Sequence, residues 1–251
     1  MYFVGVDLAW GGRNPSGIAV VDGAGSLVRV GAALADDDID AAVRPYVRDG
    51  CVVGIDAPLI VINATGRRHA ERELSADFGP FDAGAYPANT GLAAFAQGSR
   101  AARLAERMGL DMNHPSTGRR RAIEVYPHSA SVALFGLDRI VKYKRGGVGE
   151  RRPELLRLMT LIEGLASATP ALRVAGVPAW DDLRNAVAAA TRPVELRRAE
   201  DPVDAVLCAY VAMYFDSRPS DCTVYGESAT GYIVTPTLPP GLTPRRRSRT
   251  S

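Results

Sequence analysis

The sequence predicts an α/β domain: a mixed central sheet, its first three strands antiparallel, flanked by helices. Three observations carry this. Tyr2 to Trp10, Cys51 to Pro58 and Ala122 to Pro127 are short apolar stretches, each bearing a single acid, as strands covered on both faces do. Gly-rich turns follow the first strand and separate the next two. Longer segments with apolar residues at helical spacing fill the rest of the chain.

At 251 residues, 47% hydrophobic and 23% charged, the chain has an ordinary globular composition and is long enough for a substantial core. One domain over residues 1–240 is expected, with an inserted cap at about 62–121 and a basic, disordered tail at 241–251. Net charge is only +2, so charge alone points to no partner. Lysine occurs only at positions 142 and 144, every other basic residue being arginine. Cys51, Cys208 and Cys222 are far apart, with neither metal-binding nor disulfide spacing. There is no leader-like segment and no apolar run of membrane-spanning length, so a cytoplasmic protein without a membrane partner is expected.

In chain order, Gly11-Gly12-Arg13-Asn14-Pro15 turns the first strand into a second over 17–22. Gly23 to Ser26 leads to a third over 27–33. Asp37 to Arg48 reads as a helix, acidic at its start and basic at its end. After the strand at 51–58 come a charged helix at 67–76, an irregular stretch at 77–89, an amphipathic segment at 92–108 and a polar loop to Arg121. The strand at 122–127 precedes a short helix from His128 to about Gly136 and a flexible basic stretch, Lys142 to Gly147. Helices at 151–168, 179–191 and 201–216 follow, then two short strands at 222–225 and 232–235. Asp201-Pro202-Val203-Asp204 reads as a helix start, with Asp at the N-cap, Pro at the first helical position and an acid at the third.

Five acids compose the candidate site: Asp7, Asp56, Glu124, Asp201 and Asp204. The first three lie in apolar strands, where an ionised carboxylate needs a partner or a cation. Ligands in open α/β sheets gather at the carboxyl ends of strands. Asp201 and Asp204, three apart, share one helix face. Oxygen-only ligation suits Mg²⁺ or Mn²⁺, and such ions support phosphodiester hydrolysis. The plainer roles are a turn (Ala9–Arg13) hydrogen-bonding Asp7 and a helix cap for the last pair. No P-loop, Rossmann glycine pattern, zinc motif or nucleophile elbow is present. Arginine and lysine clusters at 67–68, 119–121, 142–145, 151–152 and 245–249 flank the acids in sequence, as phosphate-backbone binding requires.

Gly5-Val6-Asp7, Gly54-Ile55-Asp56-Ala57-Pro58, Glu124-Val125-Tyr126-Pro127, Asp201-Pro202-Val203-Asp204-Ala205 and the closing Gly231 to Pro236 resemble an uncharacterised bacterial and archaeal family, a domain of unknown function. That family is usually described as predicted nucleases with an RNase H-like fold. The acid layout also resembles Holliday-junction resolvases. The resemblance implies an RNase H-like fold and a metal-dependent nuclease acting on nucleic acid. By that analogy Asp7, Asp56, Asp201 and Asp204 are ligands, and Glu124 is a further ligand or a supporting group. The alternatives are an actin-like ATP-binding phosphotransferase, against which Ala57-Pro58 stands where a second phosphate loop wants glycine, and a non-catalytic nucleic-acid-binding module.

Overall fold

The computed structural model describes residues 1–9 and 14–245. The expected glycine turn at 11–12 and most of the basic tail lie outside the described residues. Five strands form one sheet: β1 (Tyr2–Asp7), β2 (Ser16–Asp22), β3 (Leu27–Ala33), β4 (Cys51–Asp56) and β5 (Arg120–Glu124), in the order β3-β2-β1-β4-β5. β1 pairs antiparallel with β2, and β2 with β3; β4 runs parallel to both β1 and β5. A mixed sheet flanked by helices is therefore observed.

The helices are α1 (Asp36–Val43), α2 (His69–Phe78), α3 (Arg100–Arg107), α4 (Pro127–Phe135), α5 (Val148–Gly164), α6 (Pro178–Ala189) and α7 (Pro193–Ser217). Several differ from expectation for local reasons. α1 ends at Val43 and continues as a 3₁₀ turn because Pro45 lacks the N–H that a longer helix needs. The amphipathic segment at 92–108 is helical only from Arg100, where Ser99 caps the start by accepting from Ala101 N at 3.1 Å and Ala102 N at 3.3 Å. The strand with Glu124 stops at that residue because Pro127 opens α4. The last two strands, β6 (Cys222–Glu227) and β7 (Gly231–Pro236), form a separate antiparallel hairpin, linked to the main sheet region by a bridge between Val125 and Val234.

The largest correction concerns α7. It begins at Pro193, eight residues before the expected start, so Asp201 is an interior residue and Pro202 lies inside the helix. Glu195 caps the true start, accepting from Thr191 N at 2.9 Å and Arg192 N at 3.0 Å. Those backbone donors, Thr191 first, hold the Glu195 carboxyl down at about 2.

α7 lies across the sheet with its backbone against three glycines. A Cβ on Gly5 would come 1.8 Å from Ala205 O, one on Gly17 1.9 Å from Asp201 O, and one on Gly54 2.4 Å from Cys208 O. The helix thus runs against the direction of β1, from Asp201 beside the strand's carboxyl end to Ala209 beside Gly5. Small residues at 205, 208 and 209 complete this close seat, all of them buried.

Residues between β4 and β5 meet the carboxyl ends of the strands. Ser99 Oγ donates to Pro58 O, and Arg100 donates to Ala9 O at 2.6 Å and to Asp36 at 2.8 Å. Among the described residues no helix is long and apolar enough to cross a membrane.

Candidate functional site

Strand register decides which acids meet. Asp7 and Asp56 are direct partners on adjacent parallel strands, which lie about 4.8 Å apart. Side chains two residues apart share a face, so both aspartates face α7 alongside Gly5 and Gly54. Helix α7 brings Asp201 and Asp204 to the same edge of the sheet. Asp204 is buried, with 1% of its surface exposed, and Asp7 with 8%; the Asp201 side chain is 30% exposed.

Lys144 joins this group from the segment between α4 and α5. Its Nζ lies 2.6 Å from Asp204 Oδ2, 3.5 Å from Asp7 Oδ2 and 3.8 Å from Asp201 Oδ1. The neighbouring Tyr143 donates its hydroxyl to Asp204 Oδ1 at 2.6 Å. Asp56 makes no ion pair among the described residues.

Burial first, then the mutual repulsion of the carboxylates, raises Asp7 well above the usual range, with the Lys144 charge opposing. The same causes push Asp56 up to about 7 and Asp201 to about 6. Burial disfavours the Lys144 charge, but Asp204 and Asp7 outweigh it and hold the ammonium well above its ordinary value. His128, between the rings of Tyr126 and Tyr143, is pushed down by burial to about 4 and is neutral at physiological pH.

Glu124 borders the same cleft as Asp7, Asp56 and Asp201 and its charge helps to raise Asp56, but its oxygens have other partners. At the end of its strand it pairs with Ile55, one residue out of step with Asp56. Both of its oxygens are engaged. Arg68 Nη1 donates to Oε2 at 2.9 Å and Nη2 to Oε1, while Leu59 N donates to Oε2 at 2.8 Å. Arg68 also donates through Nε to Glu71 Oε1 at 2.8 Å and through Nη1 to Ile60 O at 3.0 Å. Burial outweighs that guanidinium and still leaves Glu124 above the usual carboxyl range.

The sequence places Lys144 and Arg68 only in basic clusters suited to phosphate binding, and not as partners of the acids. The one signal for the first was the scarcity of lysine. For the second, no local signal distinguishes a buried arginine from a solvated one.

Asp7, Asp56, Asp201 and Glu124 open into a cleft of about 1020 Å³, whose lining includes Arg67, Tyr86, Arg139, Lys142 and Arg145. Arg139 and Lys142 both pair with Asp82, at 3.0 and 3.2 Å, and Arg145 donates to the Tyr86 hydroxyl at 2.7 Å. The cleft is thus lined by both acidic and basic side chains.

Comparison with family models finds a match described as a protein of unknown function (DUF429), over residues 5–230. The chain belongs to the DUF429 family. The matched span runs from Gly5, under α7, to Thr230, and so contains all four aspartates together with Glu124 and Lys144. No curated protein and no solved structure matches the chain.

Among the described residues, no three carboxylate, imidazole or thiol groups stand ready to enclose a metal ion together. The donor chemistry nonetheless suits a hard cation. Asp7 and Asp56 supply oxygen ligands side by side, and a resident ammonium already stands against Asp7, Asp201 and Asp204. Mg²⁺ is commonly held by one or two carboxylates, waters and substrate phosphates, without a full protein cage.

Proposed function

We propose that this chain is a divalent-metal-dependent phosphodiesterase of RNase H-like type that acts on nucleic acid. The observation that carries the reading is the pairing of Asp7 with Asp56 at the carboxyl ends of adjacent strands, with Asp201 and Asp204 brought to the same edge by α7. The β3-β2-β1-β4-β5 order, with β2 antiparallel to its neighbours, supports the fold assignment.

In this reading Asp7 and Asp56 hold Mg²⁺ or Mn²⁺. A bound ion of this kind stabilises charge on phosphoryl oxygens and lowers the pKa of a coordinated water. The chain's own groups do the rest. Asp201, its side chain 30% exposed and its carboxyl near 6, accepts the proton of the attacking water. Arg67 and Arg145 on the rim hold phosphates of the bound strand. Arg68 and Glu124 fix the loop after β4, through Ile60 O and Leu59 N, and so position Asp56. Ser99 does likewise through Pro58 O, which ties down the segment where a second phosphate loop of an ATPase would lie.

The test is cleavage of single-stranded, duplex, hybrid and branched nucleic acids in Mn²⁺ by wild type and by Asp7→Asn. Wild type should cut at least one of these. The variant should retain less than about a hundredth of that activity, since one removed ligand or charge-stabilising donor costs on the order of 10²-fold. Undiminished cleavage by Asp7→Asn excludes the mechanism. A folded wild type that cuts nothing, with or without Mn²⁺, leaves a binding module in its place.

A further inference from the structure

We infer that Lys144 is the second cation of this site, so that the protein takes one divalent ion and not two. The inference rests on the metal-dependent reading above and specifies its stoichiometry.

Two-ion phosphodiesterases hold their metals about 3.5–4 Å apart, between shared carboxylates. Here the four aspartates fall into two sides. On one side the Lys144 ammonium touches Asp204, Asp201 and the Oδ2 of Asp7. On the other, Asp56 stands in register with Asp7 and has no ion pair among the described residues. An ion between Asp7 and Asp56 would leave the Lys144 contacts with Asp204 and Asp201 in place. A second ion among Asp7, Asp201 and Asp204 meets the ammonium head-on.

The lysine is firmly placed. Its side chain is 33% exposed, yet its Nζ reaches the buried Asp204 Oδ2, which has no hydrogen-bond partner besides this ion pair. Next to it Tyr143 is 2% exposed and is fixed at both ends: its hydroxyl donates to Asp204, and its carbonyl accepts from Arg151 Nε at 3.1 Å. Arg151 in turn pairs with Glu200, beside Asp201 on α7. The segment carrying Lys144 is thereby bound to the same helix that supplies the two acids.

Composition supports the choice of residue. The chain uses arginine almost everywhere and keeps lysine at only two positions. Both line the cleft. A compact ammonium can sit among three carboxylates within 4 Å, as a metal ion does.

The experiment is Mn²⁺ titration by calorimetry, with electron paramagnetic resonance of the loaded protein, on wild type, Lys144→Met and Lys144→Arg. Thermal melts verify folding of each. Wild type should take one Mn²⁺ and give an uncoupled single-ion spectrum. Lys144→Met should take two and show exchange coupling, and Lys144→Arg, which keeps the charge, should remain at one. Wild type binding two ions overturns the assignment while leaving metal dependence standing; so does a folded Lys144→Met that still binds one. Wild type binding no Mn²⁺ overturns the metal-dependent reading itself and this inference with it. Should Lys144→Met not fold, the wild-type count decides: one uncoupled ion supports the assignment, and a coupled pair refutes it.

Discussion

Gly5→Ala tests the seat of α7, on which the whole site depends. The new Cβ would lie 1.8 Å from Ala205 O and 2.4 Å from Ala209 N, against the 3.4 Å at which ordinary contact begins. Both neighbours are helix backbone, so no rotamer change relieves the clash. The helix must lift by roughly 1.6 Å, or β1 must sink by as much into a close-packed core. Overpacking costs about 1–3 kcal/mol, and a backbone obstacle puts this case near ~3 kcal/mol. For a chain of this size that lowers Tm by about 6–12 °C. The assay is a thermal melt in EDTA, with Gly31→Ala as control. Gly31 has nothing within 4 Å of an added Cβ, so its variant should stay within about 1 kcal/mol of wild type. A Gly5→Ala protein melting within 2 °C of wild type, on the order of the ~0.5 kcal/mol of a neutral change, would refute the close seat of α7.

Three further outcomes are expected. Arg68→Met leaves Glu71 and Glu124 buried without their shared guanidinium. It should cost about 3–5 kcal/mol in urea unfolding, and a loss below ~1 kcal/mol would show the network to be dispensable. The raised carboxyls of Asp7, Asp56 and Asp201 make a contribution that is fully present below the unfolded value of 3.8 and lost as pH rises through about 6 and about 7. In EDTA, therefore, Asp56→Asn should lose less stability than wild type between pH 4 and pH 8, whereas parallel curves would contradict the raised value. Asp201→Ala should leave Tm unchanged or higher, since Asp201 lies inside α7; an N-cap role would instead cost about 0.5–2 kcal/mol.

The strands and their acids were legible because an acid in an apolar run is a conspicuous expense. Asp7 and Asp56 follow from that alone. Glu124 carries the same signal and borders the same cleft, but its oxygens are taken by Arg68 and Leu59 N, because its orientation depends on register with β4. A shift of one residue reverses every side chain, and no local pattern reports it. The start of α7 was misread for a different reason. Arg192-Pro193-Val194-Glu195 and Asp201-Pro202-Val203-Asp204 carry the same signature of proline followed two residues later by an acid. Capping rules alone cannot rank them. Packing does: Leu196, Ala199 and Glu200 are buried ahead of the second signature, and a helix begun at Asp201 would forfeit those contacts. Lys144 was hidden because its partners are distant in the chain, 137 residues away in the case of Asp7.

What ties the fold to the site is a short unit used twice. Gly5-Val6-Asp7 and Gly54-Ile55-Asp56 each place a glycine and an aspartate two residues apart, hence on one face. The glycine admits the backbone of α7, and the aspartate meets the acids that the same helix carries. On α7 the complementary spacing appears: Asp201 and Asp204, then Ala205, Cys208 and Ala209, lie along one side of the helix. Close approach and the gathering of charge are therefore a single contact. A larger residue at Gly5 or Gly54 would relieve carboxylate repulsion by lifting α7, but would disperse the acids in doing so. Lys144 offsets part of the charge gathered in this cluster, and burial together with mutual repulsion raises the carboxyls of Asp7, Asp56 and Asp201.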